Sequence, residues 1–112
     1  MALCDKALAA IKAAGLSVYR PGEKVGTCKE SYLVVYDGGE IPINRVNGYR
    51  IVGVAVFAPL GKREEIEPML KAADTALAGL RLRPRGSPAA EGIDDKYKAH
   101  TQSTEYMALC AL

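Results

Sequence analysis

Cys4, Cys28, Cys110 and His100 are the side chains of this sequence best suited to nucleophilic or metal chemistry. A zinc site needs about four Cys, His or carboxylate ligands at recognisable spacing. Here no two cysteines stand at CxxC spacing, and the single histidine lies alone in the polar run KAHTQS. A thiolate–imidazole nucleophile would pair Cys28 or Cys110 with His100, but nothing local to either cysteine supports it. Cys4 on a helix and Cys110 in an apolar strand read as small buried hydrophobes, which leaves Cys28 as the expected exposed thiol. The odd cysteine count argues against a disulfide framework and for a reducing compartment. The expectation is a chain with no metal, no cofactor and no catalytic residue.

Two other stretches carry chemistry-bearing residues. DGGE, Asp37 to Glu40, lacks both the GxxxxGK[ST] pattern and a following helix, so it is not a phosphate loop. RLRPR holds the one basic cluster, Arg81, Arg83 and Arg85, which would suit phosphate or an acidic partner but reads more simply as a solvated loop base. The net charge of +2 is too small to signal nucleic acid or membrane overall.

The elements that must position these residues read as follows. The 112 residues suit a single domain of ordinary globular composition. Residues 2–14 are alanine-rich, with Leu3, Ala7, Leu8 and Ile11 on one helical face and Gly15 as the stop. SYLVVY, Ser31 to Tyr36, is a strand; DGG is turn chemistry, and EIPINRVNG continues as an extended connection or broken edge strand. YRIVGVAVFA, Tyr49 to Ala58, is the strongest strand, closed by Pro59. Arg63 to Ala78 carries the apolar stripe Ile66, Met69, Leu70, Ala73, Ala76 and Leu77 and predicts a second helix; Pro68 moves its start past the acids, and Gly79 ends it. Leu80 to Arg83 could form a short strand, residues 84–96 a long surface loop, and Tyr97 to Leu112 a final strand. The fold class expected is α+β: a small, mostly antiparallel sheet against two helices, in the order helix, strands, helix, strand.

The strands are apolar on both faces. Val52, Val54 and Val56 alternate with Ile51, Ala55 and Phe57, and Tyr106, Ala108 and Cys110 with Met107 and Leu109. Two short helices cover one face, so the second is covered by curling, by a loop, or by another subunit. A subunit contact through Val52, Val54, Val56, Met107 and Leu109 is the expectation, with Tyr106, Ala108 and Cys110 turned toward the helices.

In its layout the chain resembles the phage tail-terminator family, also called tail-completion or neck proteins. The resemblance spans nearly the whole chain: a short amphipathic helix, SYLVVYDGGE, the long strand YRIVGVAVFAP, the acidic-start helix EEIEPMLKAADTALAGL, and the closing TEYMALCAL. It implies a structural, non-enzymatic protein that forms a ring, commonly a hexamer. The ring caps the tail tube and joins it to the head connector, with DNA passing through its lumen without sequence-specific binding. It also implies a place in the virion after synthesis in a bacterial cytoplasm, and an assembly role for the 84–96 loop. Arg81, Arg83 and Arg85 match no feature of that family. The competing expectation from the residues alone is an oligomeric α+β domain that binds a small ligand or nucleic acid.

Overall fold

The N-terminal apolar stripe forms helix α1, Leu3–Ala13, in the computed structural model, which describes residues 3–86 and 89–111. Ala7 and Ile11 are fully buried, and Gly15 takes the left-handed φ of 84° that turns the chain out of the helix. The next segment, β1 (Val18–Tyr19), runs parallel to β2 (Tyr32–Pro42). β2 pairs antiparallel with β3 (Asn47–Pro59), and β3 with the last strand, β6 (Ala99–Ala111). Two short strands, β4 (Arg83–Pro84) and β5 (Gly92–Asp94), share the outer edge of β6, so the sheet order is β1-β2-β3-β6-β4 with β5 further along. The class is α+β, in the expected element order.

Helix α2 is Ile66–Leu77, preceded by a 3₁₀ turn at Arg63–Glu65. Pro68 therefore falls in the first helical turn, where its missing N–H has no partner to lose. The stop differs from the expected one. The helix tightens into a 3₁₀ turn at Ala78–Leu80, and Arg81, with φ of 58°, takes the left-handed position in place of Gly79.

Two further readings are corrected. The DGG stretch does not turn the chain. β2 continues through it by a bulge: Asp37 stands opposite Val52 and Gly39 opposite Ile51, leaving Gly38 as the extra residue. Gly38 lies so close to Ile51 that a Cβ would fall 2.5 Å from Ile51 Cγ2. The hairpin instead turns at residues 43–46, where the Asn44 carboxamide oxygen accepts from the N–H groups of Val46 and Asn47. The predicted 84–96 loop is partly strand, because β4 and β5 fill the edge of β6 and Arg85 and Ala89 donate N–H groups to Glu105 and Ser103 carbonyls. Residues 87–88 of that loop, and Leu112, lie outside the described residues.

The two helices cover one face. Leu33 and Val35 of β2, Val52, Val54 and Val56 of β3 and Tyr106 of β6 pack against Ala7, Ile11, Ile66, Ala73 and Leu77. Each Val, Leu or Ile buried this fully contributes roughly 1.5–3 kcal/mol. The second face is closed at one end by residues of the Gly- and Pro-rich loop after β1 and by Tyr97. There Cys28, Tyr32 and Ala99 are buried beside Tyr19, Val34 and Phe57. Tyr32 stacks on Phe57 at 5.3 Å, and Tyr19 and Tyr97 meet that pair edge-on. Of the covers expected for the second face, a loop is the one present at this end.

Candidate functional site

The helix-packed core stops at Val52 and Tyr106. β2, β3 and β6 run on past it as a three-stranded arm, and the molecule measures 46 × 26 × 24 Å. From Val52 to Asn47 the arm extends roughly 17 Å at strand rise. Its helix-side face carries Arg50, which donates to Glu40 at 2.7 Å and also pairs with Asp37. The Asp37 carboxylate accepts the Gly39 N–H at 2.8 Å, and this bond and then Arg50 hold it below the usual carboxylate range. The network braces the bulge, though each exposed pair is worth no more than about 1 kcal/mol.

The opposite face of the arm is apolar. Ile41 stands opposite Tyr49, Tyr49 opposite Leu109, and Ile51 opposite Met107. Leu109 is 68% exposed, and at the tip Ile43 is 52% and Val46 64% exposed. Arg45 sits between them, exposed and without an ion pair among the described residues. The Asn44 side chain fixes the backbone of this turn, so the three side chains are presented on a held scaffold.

A second feature lies on the helix side. β6 is flanked by α2 on one side only, which leaves a groove of about 1210 Å³ over Gln102, Thr104 and Tyr106. Leu70, Lys71 and Asp74 of α2 form one wall, Pro84 and Gly86 the other. The Tyr106 hydroxyl donates to Asp74 at 3.0 Å; burial and then this carboxylate push it well above its ordinary range. Arg63 closes one end of the groove by a fork on Glu91, at 3.0 Å from Nε and 2.5 Å from Nη2 to Oε2. That pairing holds the Glu91 carboxyl below its usual range. Glu64 and Glu67 also line the groove and make no ion pair among the described residues.

The expected subunit contact is divided by the register. Val52 stands opposite Tyr106 and Ile51 opposite Met107, so Val52, Val54 and Val56 share the helix face while Met107 and Leu109 share the other. The three valines are at most 1% exposed and belong to the chain's own core; they present nothing to a neighbour. Met107 is half-buried and Leu109 exposed, on the open face.

The basic cluster is also dispersed. Arg81 caps the turn after α2; Arg83 lies opposite Met107 on the open face; Arg85 pairs with Glu105 at 2.6 Å. Cys28, expected to be exposed, is 5% exposed, because the loop after β1 folds over Tyr32 and buries it. Its thiol donates to the Glu30 carbonyl at 3.2 Å, and burial pushes it up. Cys4 and Cys110 are half-buried. His100 stands on β6 opposite Ile93 and Ala58. Among the described residues no three His, Cys, Asp or Glu side chains converge as metal ligands, and no helix is long and apolar enough to cross a membrane.

The sequence reading missed the arm and the groove. INRV between two extended runs was the one signal for the tip, since apolar Ile43 and Val46 in a turn have no core to join. The groove had none, because it depends on where α2 settles across the sheet. Compared with known protein families the chain matches none, and no curated protein is similar to it in sequence.

Proposed function

We propose that this protein is a structural subunit that assembles into a ring, in the manner of the phage neck: a cap on the tail tube that joins it to the head connector. The observation that supports this reading best is the arm. It projects past both helices, is apolar on one face, and ends in Ile43 and Val46, residues that a lone chain gains nothing by exposing. In this reading the partners are further copies of the chain, the tube protein and the connector. DNA passes through the lumen without base recognition, and the protein is made in a bacterial cytoplasm and resides in the virion. The role is architectural and calls for no cofactor or catalytic residue.

The groove favours a second reading, an oligomeric domain that holds a small ligand, because apolar side chains at Leu70 and Pro84 stand beside a few polar ones, Gln102, Thr104 and Tyr106, the mix a ligand pocket uses. One experiment separates the two. Sedimentation of the purified protein, followed by negative-stain imaging, yields closed rings of several copies under the structural reading. A monomer or dimer at every concentration overturns it.

A further inference from the structure

The arm tip and the groove are complementary in both shape class and charge. The tip is a held turn with two exposed aliphatic side chains flanking Arg45, a cation without an ion pair among the described residues. The groove is an apolar cleft at Leu70 and Pro84 rimmed by charges of both signs with acids in excess: Glu64, Glu67 and Asp74 face Lys71, none of them in an ion pair among the described residues, while Arg63 is held by Glu91. We propose that the Ile43–Val46 tip of one copy seats in the α2–β6 groove of the next, with Arg45 between Glu64 and Glu67. This rests on the ring reading above and names the contact that builds the ring.

The geometry excludes the chain's own groove as the seat. Thr104 on the groove floor stands opposite Val54, eight residues along β3 from Val46. At strand rise that is about 26 Å. The arm is paired strand to strand along this whole length, from Asn47 opposite Ala111 to Val54 opposite Thr104, so it does not fold back. The occupant must come from another molecule, and the tip of an identical chain supplies the matching charge and apolar groups. Such a contact joins two different surfaces of the same protein. A heterologous contact of this kind closes into a ring when its rotation allows, which a self-matching two-fold contact does not.

Two variants test it. The tip variant combines Ile43→Ser with Val46→Ser, which strips the apolar contacts and keeps Arg45; both positions are exposed, so the fold is retained and circular dichroism checks this. The groove variant combines Glu64→Arg with Glu67→Arg, also at exposed positions. Each variant alone is expected to sediment as a monomer where the wild type is assembled, a loss of at least tenfold in association. Mixed in equal amounts they are expected to give a dimer and nothing larger, because the sound tip of one fits the sound groove of the other and both remaining surfaces are dead. Either variant keeping the wild-type mass, or a mixture that stays monomeric, overturns the contact. If the wild type forms rings and the variants form them too, the contact falls and the ring reading stands. If the wild type is monomeric throughout, both fall.

Discussion

The ring of Tyr36 lies across the β2–β3 pair directly over Gly53, at a distance where a Cβ on Gly53 would fall 1.9 Å from Tyr36 Cζ. The aromatic ring takes the place of a side chain at this position and shields the Gly53 backbone on the open face of the sheet. Gly53→Ala must push the ring aside, and is expected to cost about 1–3 kcal/mol, the usual range for overpacking. In a Tyr36→Ala background the same substitution meets no ring. A double-mutant cycle by urea unfolding should therefore show strong coupling; simple additivity would mean that the ring swings away freely.

Charges on the two faces of the sheet should act in opposite ways. Val54→Asp puts an unpaired carboxylate at a position with no exposure, beneath the helices, and the chain should fail to fold. Leu109→Asp changes a side chain that is 68% exposed and should stay within about 0.5 kcal/mol of wild type while weakening association. Circular dichroism and sedimentation on both read the difference directly. A folded Val54→Asp protein would mean that β3 pairs in another register.

Acid should loosen the arm. The folded-state pKa of Asp37 is depressed, first by the Gly39 N–H and then by Arg50. The stabilisation is therefore present above the unfolded carboxylate value, about 4, and is lost as pH falls through the lower folded value. Glu91, depressed by Arg63, adds to the same slope. Asp37→Asn should be less stable than wild type at pH 7, and the gap should narrow as pH is lowered through and below the ordinary carboxylate range. Urea midpoints along a pH series decide this, and a gap that does not narrow with acid would place the effect in the side chain's shape.

The thiols should divide by burial. Cys28 is shielded and its pKa is raised, so both the thiolate fraction and access are low. Cys4 and Cys110 are half-buried. Alkylation at pH 8, followed by peptide mass mapping, should label Cys28 last, with a rate that rises in dilute denaturant. Labelling of Cys28 first would mean that the loop after β1 is open in solution.

Much of the fold was legible because its elements carry their own period. The α1 and α2 stripes and the run Tyr49 to Ala58 say helix or strand without reference to anything distant. What was not legible is set by partners. Val52 and Ile51 are equally apolar neighbours, and only the pairing of β3 with β6 decides that the valine goes beneath the helices. Cys28 lies in a polar stretch and reads as exposed, yet it is buried because its loop is held against Tyr97 and Ala99, far along the chain, its N–H donating to the Tyr97 carbonyl. Asp37-Gly38-Gly39 has turn composition, and composition does not separate a turn from a bulge. Of the candidate site, the alternation of the closing strand separates Leu109 from Tyr106, and the structure leaves Leu109 exposed; the groove was not legible, because no residue in it is unusual alone.

The bulge in β2 bears on how the chain can change length. Gly38 is the residue left without a partner, with Asp37 still opposite Val52 and Gly39 still opposite Ile51. Its removal would leave every later cross-strand partner where it is: Glu40 still facing Arg50, Ile41 still beside Tyr49. A one-residue deletion almost anywhere else in β2 would turn the rest of the strand over and carry Ile41 to the wrong side. Gly38 is thus a site where the gene could lose a codon without reshuffling the arm, at the expense of the extra twist a bulge confers. Kindred chains that differ by one residue are expected to carry the gap there, at residues 37–39, and to keep the apolar positions of the tip in phase on either side of it.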